Sequence, residues 1–230
     1  MRVGTTDDLH GAVTGSRRLL FLLVALSAVA GATDVLSLVQ LGQVFTSVMT
    51  GNLVLLGLAA GTTDAGRAIR TGVSLGGYVL GTAGGTVLAT PRHRSPTVWP
   101  RSVTLALGVE LAVFIALAPS WWLIGTHPTG WHRIALLLSA SMAMGLQAAA
   151  VRQVRVPGVT TTYFTSTLTR VVARLTPPHV DLDLRNVPQL VGLAAGAGIG
   201  ALLLVSAPGY APILQCGLLT LVLVGAPHQA

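Results

Sequence analysis

Eight apolar runs follow one another along this chain, with almost no charge inside them: residues 19–41, 44–60, 68–89, 103–124, 134–151, 160–175, 187–205 and 213–224. A run of about 20 apolar residues makes a helix long enough to cross some 30 Å of hydrocarbon. In lipid the backbone must satisfy its own hydrogen bonds, which restricts such runs to helices or closed barrels. Runs of this length without strict alternation specify helices. Of the 230 residues 52% are hydrophobic and only 9% are charged, whereas a soluble domain carries about a quarter. Water could not wet a surface so poor in charge, so lipid must cover it. The expected fold is all-α, a polytopic transmembrane bundle. Residues 1–16 read as a cytoplasmic N-terminal tail and residues 17–226 as a single transmembrane domain.

Arg17-Arg18 before an apolar run that contains Ala28-Val29-Ala30 has some features of a cleavable signal. The apolar run resumes through residues 35–41, so a first transmembrane helix is the simpler account. The net charge is +7, and every one of the 14 basic residues is an arginine. They are scattered between the apolar runs. That distribution suits topogenic loop charges better than a nucleic-acid surface, and no nucleic-acid partner is expected. Cys216 is the only cysteine. His127 and His132 flank a short turn with no carboxylate or thiol beside them, so neither a metal site nor a cofactor is expected.

The chain also resembles itself. Shifted by 115 positions, residues 44–89 overlay residues 159–204 without a gap, with ten of the 46 positions identical. Thr46 meets Thr161, Thr50 meets Thr165 and Arg70 meets Arg185. Gly77, Gly81 and Gly85 meet Gly192, Gly196 and Gly200. Both copies have the same order: a hydroxyl-rich lead-in, a short apolar segment, a loop, an arginine and a Gly-xxx-Gly-xxx-Gly helix. Such glycine ladders mark close helix contact. Two repeats of about 19–124 and 132–226 follow, and a small insertion after the fifth run sets Asp34 opposite Gln147.

The two short segments, near residues 46–60 and 161–175, extend only about 22 Å as helices at 1.5 Å per residue. The second holds Arg170 and Arg174, which are costly against lipid. Both read as re-entrant segments packed on protein. The arginines agree: with six full spans and a cytoplasmic N-terminus, only Arg67, Arg70 and Arg133 lie outside, as the positive-inside rule favours. Each repeat then has three full spans, and the two repeats face opposite ways, a plan common among secondary transporters.

Few side chains within the spans could carry chemistry. Asp34 is in the middle of the first helix and Glu110 a third of the way along the fourth. A carboxyl at such depth is expensive and faces the protein interior. Each could couple transport to protons or simply bond between helices. Gln147 can donate and accept. Thr46, Ser47, Thr50 and Asn52 stand where the first short helix begins; Thr161 and Thr165 do so in the second copy. Unpaired N–H groups at a helix start suit a polar or anionic ligand, but the same hydroxyls can cap the helix. No nucleophile–base pair and no nucleotide-binding glycine loop is present, so an enzyme is not expected.

Gly31-Ala32-Thr33-Asp34, followed by Phe45-Thr46-Ser47-Val48-Met49-Thr50-Gly51-Asn52, resembles the YoaK-like family of bacterial multipass membrane proteins. Glu110, Met144-Gly145-Leu146-Gln147 and Thr160-Thr161-Thr162 also resemble family features. Thr165-Ser166-Thr167 departs from the Thr-Gly-Thr of many members. The resemblance covers nearly the whole chain and implies a bacterial inner-membrane location, but no activity. The leading functional reading is a small secondary transporter or permease, proton-coupled through Asp34 and Glu110. Asp34, Thr46, Thr50, Asn52, Gln147, Thr161 and Thr165 would line its site. Its partners would be the lipid bilayer, a small polar or anionic substrate, and a second copy in a homo-oligomer. The alternative is a non-transporting scaffold, sensor or complex subunit.

Overall fold

A computed structural model describes residues 6–90, 97–125, 127–154 and 187–227. Seven α-helices occur among them: α1 (Thr6–Leu36), α2 (Met49–Gly61), α3 (Ala65–Ala89), α4 (Arg101–Ile124), α5 (Gly130–Arg152), α6 (Val187–Ser206) and α7 (Ala211–Gly225). No strand occurs among the described residues. A π-helical segment, Ser37–Gly42, continues α1, and a 3-10 turn, Pro208–Tyr210, precedes α7. Six helices are long and apolar enough to cross a membrane; α2 is shorter. The second short segment expected near residues 161–175 lies outside the described residues.

Helix α1 starts at Thr6, inside the expected tail.

The direction of each span follows from contacts at its ends. The Nε of Arg18, near the start of the first span, donates to the Gly225 carbonyl at the end of α7. Ser102, at the start of α4, donates to the Ala89 carbonyl at the end of α3. These ends share one face, the first end of the bundle. At the second end Arg70 Nε donates to the Gly42 carbonyl, and Trp121 Nε1 donates to the Pro208 carbonyl. The spans α1, α4 and α6 therefore run from the first end to the second; α3, α5 and α7 run back.

The excursion between α1 and α3 leaves and returns at the second end. The chain turns at Gly42 and Gln43, both at positive φ. Glycine is favoured at 42 because its φ of +124° strains any larger residue; a Cβ there would also push aside the Arg70 side chain. Residues 43–48 then fold back along the last turns of α1, and α2 climbs out again to the start of α3. At 13 residues α2 is about 20 Å long, too short to span. The first short segment thus leaves and returns at one end of the bundle, the path expected of a re-entrant segment.

Two helix pairs hold the bundle together, α3 on α5 and α1 on α6, and both run on glycine. A Cβ on Gly77 would lie 2.8 Å from the Leu138 oxygen, and one on Gly85 2.9 Å from Leu146 Cα. On the other pair, a Cβ on Gly192 would lie 2.7 Å from the Val24 oxygen, and one on Gly200 3.2 Å from Ala32 Cα. Between helices in lipid, close backbone approach replaces the hydrophobic drive that water would supply. The outward faces carry exposed Val54, Val79, Val87, Leu105, Leu202 and Val205, the surface a bilayer covers. The interior is an apolar core around Leu22, Leu26, Leu107, Phe114, Met144 and Leu219.

Candidate functional site

Asp34 is on α1, two turns before the Gly42 bend, and is only 6% exposed. Its Oδ1 accepts from Thr46 N–H (2.7 Å), Thr46 Oγ1 (2.8 Å) and Ser47 N–H (2.8 Å). Its Oδ2 accepts from Ser47 Oγ (2.6 Å). The lead-in to α2 is thus clasped to α1 by one carboxylate that meets four donors. The two N–H groups that could have met an anionic ligand are already taken.

Beside this clasp stands Asn52, fully buried. Its Oδ1 accepts from Phe45 N–H (2.9 Å), while its Nδ2 donates to the Phe45 carbonyl (2.7 Å) and to Ser74 Oγ (3.0 Å). Ser74, on α3, donates to the same carbonyl (2.5 Å) and pairs with Ser141 Oγ on α5 (2.9 Å). One polar network therefore joins the lead-in, α2, α3 and α5. Asn52→Ala should cost about 2 kcal/mol through unmet polar groups at Phe45. Asn52→Asp should be at least as harmful, because a carboxylate oxygen would face the Phe45 carbonyl. Thermal unfolding of the two purified variants checks this order; an Asp variant as stable as the parent would contradict it.

Other expected site residues stand apart. Thr50 is exposed and takes no part in the network. Gln147 is buried, but its Nε2 donates to the Leu26 carbonyl (3.0 Å). Leu26 precedes Asp34 by eight residues, about 12 Å along α1. Gln147 therefore ties α5 to α1 rather than completing the Asp34 cluster, and its Oε1 has no partner among the described residues. Thr161 and Thr165 lie outside the described residues. Of the seven, the fold brings together Asp34, Thr46 and Asn52.

Glu110 is a different kind of site. It is fully buried in α4, nine residues from the helix start and about 14 Å deep. Neither carboxyl oxygen has a hydrogen-bond partner among the described residues. Phe114, one turn on, lines a cavity of about 30 Å³ with Thr33, Leu41, Trp121, Ala140 and Gln215. That is room for about one water, and the walls are almost wholly apolar. No group of three or more residues able to hold a metal occurs among the described residues.

Ser74, Ser141 and Gln215 were not expected in the polar interior. Ser74 could have been found, since it is three residues before Gly77 and shares the face of the glycine ladder. Ser141 likewise precedes Gly145 by one turn. Gln215 is a lone amide inside an apolar run, a weaker version of the signal that marks Asp34.

Among the described residues, six helices long and apolar enough to cross a membrane and one shorter apolar helix, with an interior polar network, define a multipass α-helical membrane protein. The chain belongs to the family described as "Protein of unknown function (DUF1275)", whose model matches residues 22–225. It is 34% identical over 147 residues to the UPF0700 transmembrane protein YoaK of Bacillus subtilis, a match over 64% of this chain and 63% of that protein. No solved structure matches.

Proposed function

We propose that the protein is a small secondary transporter for a small polar solute, seen here closed, with Glu110 as its proton-coupling group. The observation that carries this reading is the fully buried Glu110 carboxyl inside a span, with no hydrogen-bond partner among the described residues. A group so costly to bury marks function more often than packing. Asp34 fits that role less well, because its oxygens are already bonded to the lead-in.

Inverted halves support the reading. The contacts of the two glycine ladders repeat at constant offsets. Gly77, Gly81 and Gly85 meet Leu138, Met142 and Leu146; Gly192, Gly196 and Gly200 meet Val24, Ala28 and Ala32. Helix α3 maps onto α6 at an offset of 115 residues, and α1 onto α5 at 114. The reciprocal contacts obey the same offsets: Gly31 meets Leu193 and Ala197, and Gly145 meets Tyr78 and Thr82. This register sets Asp34 opposite Ala148 and moves Gln147 opposite Thr33, one residue from the pairing expected above.

The last spans match too. Buried Ala106, Leu107, Glu110 and Phe114 stand at an offset of 105 from buried Ala211, Pro212, Gln215 and Leu219. Glu110 thus has an isosteric amide, Gln215, as its counterpart. The two halves share a packing plan, but at this position only the first carries a carboxyl group. Arg17, Arg18, Arg101 and Arg152 stand at the first end against Arg67, Arg70 and Arg133 at the second. The positive-inside rule then puts the first end, with the N-terminus, in the cytoplasm of a bacterial inner membrane.

Proteoliposomes with an internal pH dye test the proposal. A panel of small polar solutes should include one that drives proton movement through the parent protein. Glu110→Gln, which copies what Gln215 already does in the other half, should keep its unfolding temperature and lose that movement at least tenfold, the effect of removing one proton-transfer group. An unchanged proton signal in Glu110→Gln would refute the assignment. The second reading is a scaffold, sensor or complex subunit. It is favoured by the apolar cavity of only about 30 Å³, and absence of solute-driven flux in the stable parent would leave it standing.

A further inference from the structure

A larger groove runs along the outside of the first end. It has a volume of about 710 Å³ and lies between the first half of α4 and the end of α7. Trp99 and Arg101 stand at its head; Leu105, Gly108 and Ala112 form its floor, and Leu223 a wall. It shares none of these residues with the inner cavity.

We infer that this groove holds an anionic phospholipid, with the headgroup at Arg101 and one acyl chain along Leu105, Gly108 and Ala112.

Length is the first argument. From Arg101 to Ala112 is 11 residues, or about 16 Å of helix. That is close to half of the roughly 30 Å hydrocarbon core, so the groove runs from the interface to the midplane of one leaflet. A solute path would continue beyond that depth; a lipid chain would stop there.

Charge is the second. Arg101 begins α4, where the helix dipole also favours an anion. A second arginine reaches the same place: Arg18 donates from Nε to the Gly225 carbonyl and from Nη2 to the carbonyl of Ala226, which also lines the groove. No acidic residue lines it among the described residues. Arginines at headgroup level select anionic lipids.

Shape is the third. Leu105 is 67% and Val109 41% exposed, so the floor is not covered by any other described helix. A Cβ on Gly108 would meet nothing within 4 Å. Gly108 therefore does not serve close helix packing, as Gly77 or Gly81 does; it keeps open a trough that a larger side chain would fill.

The full-length protein, in detergent, is titrated with phosphatidylglycerol and with phosphatidylcholine of the same chains, and retained lipid is counted by native mass spectrometry. The parent should prefer phosphatidylglycerol by about fivefold for each arginine at the headgroup. Gly108→Phe should remove retention of both lipids, while Gly84→Phe, also at an open position, should not. Arg101→Gln should retain both lipids with the preference reduced. Unfolding temperatures in lipid-free detergent should be unchanged for the two glycine variants, since no packed contact is altered at either position. A parent with no preference, or Gly108→Phe with full retention, would overturn the inference. So would a Gly108→Phe protein that loses dimers but keeps its lipid, because the groove would then belong to a second copy.

Discussion

Gly81→Leu is expected to lower the unfolding temperature by roughly 10 °C or to prevent recovery of folded protein. A Cβ on Gly81 would stand 2.8 Å from Met142 Cα, and nearer still to the Met142 carbonyl oxygen. Neither atom can rotate away, because both belong to the backbone of α5. The whole α3–α5 pair would have to separate, and Gly77 and Gly85 would lose their close contacts with it. Overpacking of this kind costs about 3 kcal/mol, and a domain of this size loses a few degrees per kcal/mol. Gly84→Leu is the control: Gly84 is on the same helix, and nothing lies within 4 Å of its Cβ position. It should unfold with the parent. Gly196→Leu should repeat the loss on the α1–α6 pair, where a Cβ would lie 2.5 Å from Ala28 Cα. Circular dichroism melts of the purified variants decide the matter. If Gly81→Leu melted like Gly84→Leu, the ladders would not be what holds the bundle.

Asp34→Ala and Asp34→Asn are expected to part company. Removing the carboxylate strands two backbone N–H groups and two hydroxyls of Thr46 and Ser47. The hydroxyls can turn to other acceptors; the N–H groups are fixed by the chain. Buried unpaired donors cost about 1–3 kcal/mol each, tempered in membranes because the unfolded chain also finds partners. A loss of about 3 kcal/mol follows, with faster proteolysis across residues 43–48. Asparagine keeps Oδ1, which accepts three of the four bonds, and Ser47 Oγ can turn to accept from the new amide. It should lose no more than about 1 kcal/mol and keep any proton-coupled flux. If Asp34→Asn abolished flux at unchanged stability, the coupling role would belong to Asp34 after all. If Asp34→Ala were as stable as the parent, the clasp would carry no weight.

Much of this was legible before any coordinates. Run lengths specified the spans, and the shortness of residues 46–60 specified a segment that could not cross. The Gly77/Gly81/Gly85 spacing predicted a helix face that meets another backbone. Asp34 stands out because buried polarity is expensive, and Thr46, Ser47, Thr50 and Asn52 because they lead into a short helix. What the residues could not say was which polar groups satisfy one another. Asp34 and Gln147 looked equivalent, yet one clasps its own half while the other crosses to the Leu26 carbonyl. Thr50 has the same chemistry as Thr46 but stands four residues on, on a face that points outward.

The chain alone thus determined that it lives in lipid, which runs are long enough to cross, and where close packing must occur. Those are matters of local length, charge and side-chain size, which each segment carries within itself. Only the tertiary structure decided that Asp34 is fully bonded and Glu110 is not. Hydrogen-bond satisfaction is a property of pairs, and the donors that meet Asp34 reach it through the left-handed bend at Gly42 and Gln43. No described segment makes such a bend toward Glu110.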